Sequence, residues 1–166
     1  MDNPIDALID ILTQETVIYQ RMVEILHQES VATIASSLDG LHAARSDKEM
    51  LINAISQLER RRVVLTHALN RDWFNASGPV SFSRLVARLD LPTAQRLTRS
   101  REALVTTLVR VNDMNTRNAS LLAHSVKWVA GAMRLLDHLL NPQAVYRRSG
   151  RFAPTGRTGR VLSGTY

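Results

Sequence analysis

Apolar residues recur at alternating steps of three and four along most of the chain, the spacing of one helical face. Between Pro4 and Ser37 the seam runs Ile5, Leu8, Leu12, Glu15, Tyr19, Met22 and Leu26, with Glu15 its polar interruption. After Leu26 the phase slips, and Ile34, Leu38 and Leu41 resume it. The slip predicts a local change of packing or a kink near Ser30. Asn3 before Pro4 has the form of a helix start, with a side-chain cap and proline in the first turn. Leu38-Asp39-Gly40 predicts a tight connection, in which Gly40 supplies a left-handed backbone and Asp39 caps the next helix.

A second helix is predicted from about Leu41 to Asn70. Its seam is Leu41, Ala44, Lys48, Leu51, Ile55, Leu58, Arg62, Leu65 and Leu69. A short link between two long helices implies an antiparallel hairpin. Asn75-Ala76-Ser77-Gly78-Pro79 is the clearest break. A short helix fits Ser81 to Leu89, with Phe82, Leu85, Val86 and Leu89 on one side, and Pro92 can open the next helix. That last helix is predicted from Pro92 to Leu140, roughly 70 Å at 1.5 Å per residue. It keeps heptad spacing from Leu97 through Leu104, Asn118 and Leu136 to Leu139, and Asn141-Pro142 stops it. The reading is all-α: a long antiparallel hairpin, a short helix and a long C-terminal helix. It divides into a helical domain over 4–141 and a flexible basic tail over 142–166.

Composition agrees with helices. Among 166 residues, 45% are hydrophobic, only 5% are aromatic, and Gly and Pro are few. The absence of cysteine excludes disulfides and thiolate metal sites. The start of the chain lacks the features of a signal peptide, and no run is apolar enough for a membrane span. A cytoplasmic location without membrane insertion is therefore expected. The net charge of +6 is unevenly placed. Residues 1–59 hold 3 basic and 10 acidic groups, residues 60–141 hold 13 and 5, and the tail adds five Arg with no acid.

Chemistry is hard to find. Glu24 and His27 make one Glu-x-x-His pair, but a di-iron site needs a second, and none exists here. Phosphate loops, His-Glu-x-x-His and Gly-x-Ser-x-Gly are absent. Neither a cofactor nor a metal nor enzymatic activity is expected. Arg60-Arg61-Arg62 and the Gly-Arg pairs of the tail admit a basic coiled-coil nucleic-acid binder or a structural protein as the alternative. Adjacent arginines on a helix point in three directions, however, and so do not form one patch. Asn112, Asn115 and Asn118 recur every three residues in the longest helix. Amides at seam positions either fix bundle register or mark a stretch that meets a partner helix only part of the time.

Three features together resemble one family: the hairpin with its Lys48-Glu49-x-Leu51 step, Asn115-x-x-Asn118-x-x-x-Leu122 in the final helix, and a tail of the form Tyr146-x-x-x-Gly150. The most specific stretch runs from Leu139 through Asn141-Pro142-Gln143-Ala144-Val145-Tyr146 to Arg151. The chain resembles the FlgN flagellar export chaperones over nearly its full length. The resemblance implies binding of C-terminal helices of the hook–filament junction proteins FlgK and FlgL. It also implies delivery to the type III export gate protein FlhA, with Tyr146 and Gly150 in the docking motif. Arg147-Arg148-Ser149 between them is more basic than the family pattern.

A helix-in-groove mode would suit such a client. The last helix offers two apolar stripes side by side: Leu122, Val129 and Leu136, and Leu121, Val126, Met133 and Leu140. The flexible Met133 suits more than one client. The expected client-binding residues are these seven with Asn115 and Asn118. The alternative is that the protein's own first two helices fill both stripes. The chain is expected to act as a monomer or a homodimer.

Overall fold

A computed structural model describes residues 3–74 and 81–140. Four helices and no strand occur among them: α1 (Pro4–Ile34), α2 (Leu38–Phe74), α3 (Phe82–Val86) and α4 (Leu91–Leu140). The all-α class is as the periodicity predicts. The breaks at Asn75–Pro79 and Asn141-Pro142 lie outside the described residues, as does the tail.

The first helix starts as its sequence dictates. The Asn3 side chain accepts from the Ile5 amide at 3.1 Å, and Pro4 occupies the first turn, where its missing N–H costs nothing. Every member of the seam from Ile5 to Leu26 is buried or half-buried. No break marks this point, and α1 is continuous through Ser30. The phase does not slip either. Glu29 and Thr33 continue the seam as buried polar residues, while Ile34 and Leu38 are exposed. What looks like a slip is a substitution of polar for apolar side chains on the same face.

The hairpin turn also falls earlier than predicted, at Ala35–Ser37. Ser36 takes the left-handed conformation, with φ 52°. Its amide donates to the Thr33 carbonyl, and the Ser37 amide donates to that of Ala32, so the last carbonyls of α1 are satisfied. The Ser37 hydroxyl then accepts from the Gly40 amide and opens α2. Leu38-Asp39-Gly40 is thus the first turn of α2 rather than the connection. Gly40 serves close approach instead of a left-handed backbone: a Cβ there would stand 2.9 Å from the Ala32 Cβ.

Polar seam residues set the pairing of the hairpin. Glu15 accepts from Arg62 Nε at 3.1 Å, and Glu29 is paired with Lys48. The two glutamates are 14 residues, two heptads, apart, and so are their partners. Thr16 and Thr33 satisfy their buried hydroxyls on the carbonyls of Leu12 and Glu29, one turn back.

The chain forms two units, residues 1–123 and 124–166. In the first, the core joins Ile5, Leu8, Ile9 and Leu12 of α1 to Leu69, Leu85, Leu97 and Leu104 from the other three helices. Each fully buried aliphatic side chain contributes about 1.5–3 kcal/mol. In this unit α4 runs parallel to α1, with Arg96 against Asp6 and Asn118 against Leu26 and Glu29. Asp90 starts α4 by accepting from the Thr93 amide at 3.2 Å, and Pro92 follows in the first turn. Within α3 the Ser81 side chain caps the helix. Arg84 and Arg88 stack over the Phe74 ring, and Arg88 also donates to the Trp73 carbonyl. These contacts pin α3 to the end of α2. In the second unit, residues 124–140 are the helical continuation of α4.

Candidate functional site

None of residues 124–140 is buried. Ten of these seventeen residues are Ala, Val, Leu, Met or Trp. Val126 is 66% exposed and Leu140 77%, and Val129, Met133 and Leu136 lie between them with half or more of their surface open. Their spacing, three then four, then three then four, makes one apolar stripe. Leu121 and Leu122, a turn earlier, are half-buried. No helix among the described residues is long and apolar enough to cross a membrane. Such a stripe is the surface that a partner helix covers in helix-in-groove recognition.

The two asparagines separate. Asn115 is exposed on α4, whereas Asn118 is only 5% exposed. The Asn118 amide donates to the Leu26 carbonyl at 2.6 Å and to Glu29 Oε2 at 3.0 Å. The other oxygen of Glu29 takes the Lys48 ammonium. One residue from each of α1, α2 and α4 therefore meets in a polar cluster, in which Glu29 and Asn118 are buried and Lys48 half-buried. Among the described residues no buried side-chain polar atom lacks a hydrogen-bond partner. This geometry suits the register role of the seam amide, since a misplaced α4 would take the buried Asn118 amide away from both its acceptors. Tyr19, beside Glu15, has its phenol pushed above the ordinary value, first by burial and then by the Glu15 and Glu59 charges, with Arg62 opposing. Asp90 is held below the ordinary carboxylate value, first by its hydrogen bonds to Thr93.

A cleft of about 440 Å³ opens in the first unit. Leu8 and Leu12 of α1 form its floor. Arg62, Thr66 and Leu69 of α2 line one wall, and Arg101, Leu104, Val105 and Leu108 of α4 line the other. Phe82 and Leu85 of α3 add to it, and the Arg101 guanidinium lies 4.7 Å from the Phe82 ring centre. Glu24 and His27, the half-motif for a metal, are both exposed. No group of three or more potential metal ligands occurs among the described residues.

The described residues thus combine a long α1–α2 hairpin with a 50-residue α4 that carries an apolar stripe. The sequence matches the family model described as FlgN protein over residues 1–153, more than nine-tenths of the chain. The chain belongs to the FlgN family. Neither a curated protein nor a solved structure gives a significant match. FlgN proteins are flagellar export chaperones, associated with hook-associated proteins and not known as enzymes. A chaperone role in flagellum assembly is accordingly the function of this FlgN chain at the family level.

Sequence reasoning overlooked Trp128, 76% exposed, and Leu135, which is also open, and placed Leu139 on the seam without counting it among the client contacts. Trp128 and Leu135 fall off both apolar stripes, so a search by heptad spacing passes over them. The signal that could have found them is density: this end of the FlgN helix is apolar on more sides than a two-helix contact needs. The docking residues Tyr146 and Gly150 lie outside the described residues.

Proposed function

We propose that this FlgN chain holds the C-terminal helix of hook–filament junction proteins of the FlgK and FlgL type on the exposed apolar stripe of α4. The contact residues are Leu121, Leu122, Val126, Val129, Met133, Leu136 and Leu140, with Asn115 as a flanking polar contact. Asn118 acts from behind, holding α4 in register through Glu29. The observation that carries the reading is the open stripe from Val126 to Leu140. A junction protein's terminal helix would expose a matching stripe before assembly, and covering both removes apolar surface from water at about 25 cal/mol per Å². The chaperone acts in the cytoplasm as a monomer or homodimer, without a cofactor. It passes its cargo to the export gate FlhA through the tail, where Tyr146 and Gly150 make the docking contact.

Calorimetry with a peptide from a FlgK or FlgL C-terminus tests the first step. Micromolar affinity or better, about −8 kcal/mol, is expected. Val129→Asp and Leu136→Asp, each on an exposed position, should weaken it by at least about tenfold while leaving the melting curve in place. Normal binding by both folded variants would put the client elsewhere. Tyr146→Ala should keep client binding and lower delivery and motility; loss of client binding would assign that tyrosine to the client surface.

A further inference from the structure

The first unit contains three long helical segments side by side, α1, the antiparallel α2, and α4 parallel to α1. A four-helix bundle has one more long helix than this unit, and a cleft lined by α2 and α4, with α1 and the short α3, opens in it. We propose that this cleft receives an acidic amphipathic helix from another protein, as a docking site separate from the stripe at residues 126–140.

The cleft has the spacing of a helix receptor. On α4 its residues Arg101, Leu104, Val105 and Leu108 follow the i, i+3, i+4, i+7 order of one helical face. Leu104 is buried against the core, but Val105 is 44% exposed and Leu108 36%, so the α4 wall presents apolar surface outward. The volume is in the range of preformed binding pockets, with room for about three aliphatic anchors.

Charge chooses the partner. Arg62 and Arg101 are the charged residues that line the cleft, and no carboxylate lines it. Arg62 already meets Glu15 and Glu59, while Arg101 rests on the Phe82 ring. Residues 60–118, which supply the α2, α3 and α4 lining, carry eleven Arg against four acidic residues, while the α1 segment beneath, residues 6–15, carries three acidic residues and no basic one. An incoming helix with glutamates beside its apolar stripe would meet complementary potential, and a basic one would be repelled. Nucleic acid fits less well, because the floor is aliphatic and Phe82 is the one aromatic ring in the lining.

The test uses the full chain and a fluorescein-labelled amphipathic peptide of about 20 residues, with Leu at heptad positions and Glu on the flanks. A second peptide carries Lys in place of every Glu. The acidic peptide should bind, and Val105→Glu with Leu108→Glu should weaken it at least about tenfold in a protein that melts as before. Arg101→Glu should shift preference toward the basic peptide. Val129→Asp should leave acidic-peptide binding unchanged, although it weakens the junction-protein peptide; this separates the cleft from the proposed client stripe. Equal binding of the two peptides, no binding, or loss on Val129→Asp with retention in the Val105/Leu108 variant would each overturn the proposal. So would retention of a single-stranded oligonucleotide that depends on Arg101 where neither peptide binds.

Discussion

The two parts of α4 share one helix and one heptad rhythm, yet their environments differ. From Leu91 to Ala123 the seam is buried at Ala94, Leu97, Leu104 and Asn118, against residues supplied by the same chain. From His124 to Leu140 nothing is buried, although the apolar residues there are larger and denser. Apolar periodicity therefore reports that a face wants covering and says nothing about who covers it. In the first part the partner is α1. In the second, FlgN membership and the open stripe together lead to a client helix as the proposed partner.

The sharpest way to break this contrast is a matched pair of truncations. Leu97→Ala removes a fully buried side chain and should cost about 3–4 kcal/mol in thermal or urea unfolding. Leu136→Ala, half exposed, should stay within about 0.5 kcal/mol of wild type. Similar losses for the two would mean that the far part of α4 is packed after all. The next effect concerns the polar cluster. Glu29→Ala strands the Lys48 ammonium and takes an acceptor from Asn118, and should cost about 2–3 kcal/mol. A neutral result would remove the cluster from the account of α4 register.

Two glycines sharpen the comparison at smaller scale. Gly40→Ala forces a methyl group against Ala32 and should destabilise by about 1–2 kcal/mol. Gly131→Ala meets nothing within 4 Å and lies mid-helix, so it should stabilise the helix by about 0.5–1 kcal/mol, seen as increased helicity or a higher Tm. The smallest effect is a pH dependence at the packed end. Asp90 has a lowered pKa in the folded protein, so its contribution is present above the ordinary carboxylate pKa of 3.8 and is lost as pH falls through the depressed value. Asp90→Asn should flatten that acid limb of stability against pH, and an unchanged limb would show that the cap does not contribute.

Much of the packed region is legible from spacing alone. The seam from Ile5 to Leu26 and the α2 seam from Leu41 to Leu69 are the buried and half-buried faces. Even Glu15, Lys48 and Arg62, which interrupt the apolar pattern, sit where the heptad puts them. Pairing is not legible, because spacing along one helix does not say which residue of another it meets. The turn is misplaced for a related reason. Gly40 is the obvious residue for a left-handed backbone, but Ser36 takes that conformation, and Gly40 is needed for contact with Ala32 across the turn. Ile9, Ile11 and Val23 are buried outside the seam because α1 packs on more than one side. At the candidate site, the stripe is legible from spacing, whereas the burial of Asn118 depends on Leu26 and Glu29, about 90 residues away.

The two glutamate–cation pairs of the hairpin also act as a check on alignment during folding. Sliding α2 along α1 by one heptad in one direction would set Glu15 opposite Leu69 and Glu29 opposite Ile55; the other direction sets them opposite Ile55 and Leu41. Either error leaves two carboxylates facing aliphatic side chains and takes from Lys48 and Arg62 their partners on α1. A chain whose long helices offer many nearly equivalent greasy alignments thereby makes the neighbouring wrong ones electrostatically forbidding.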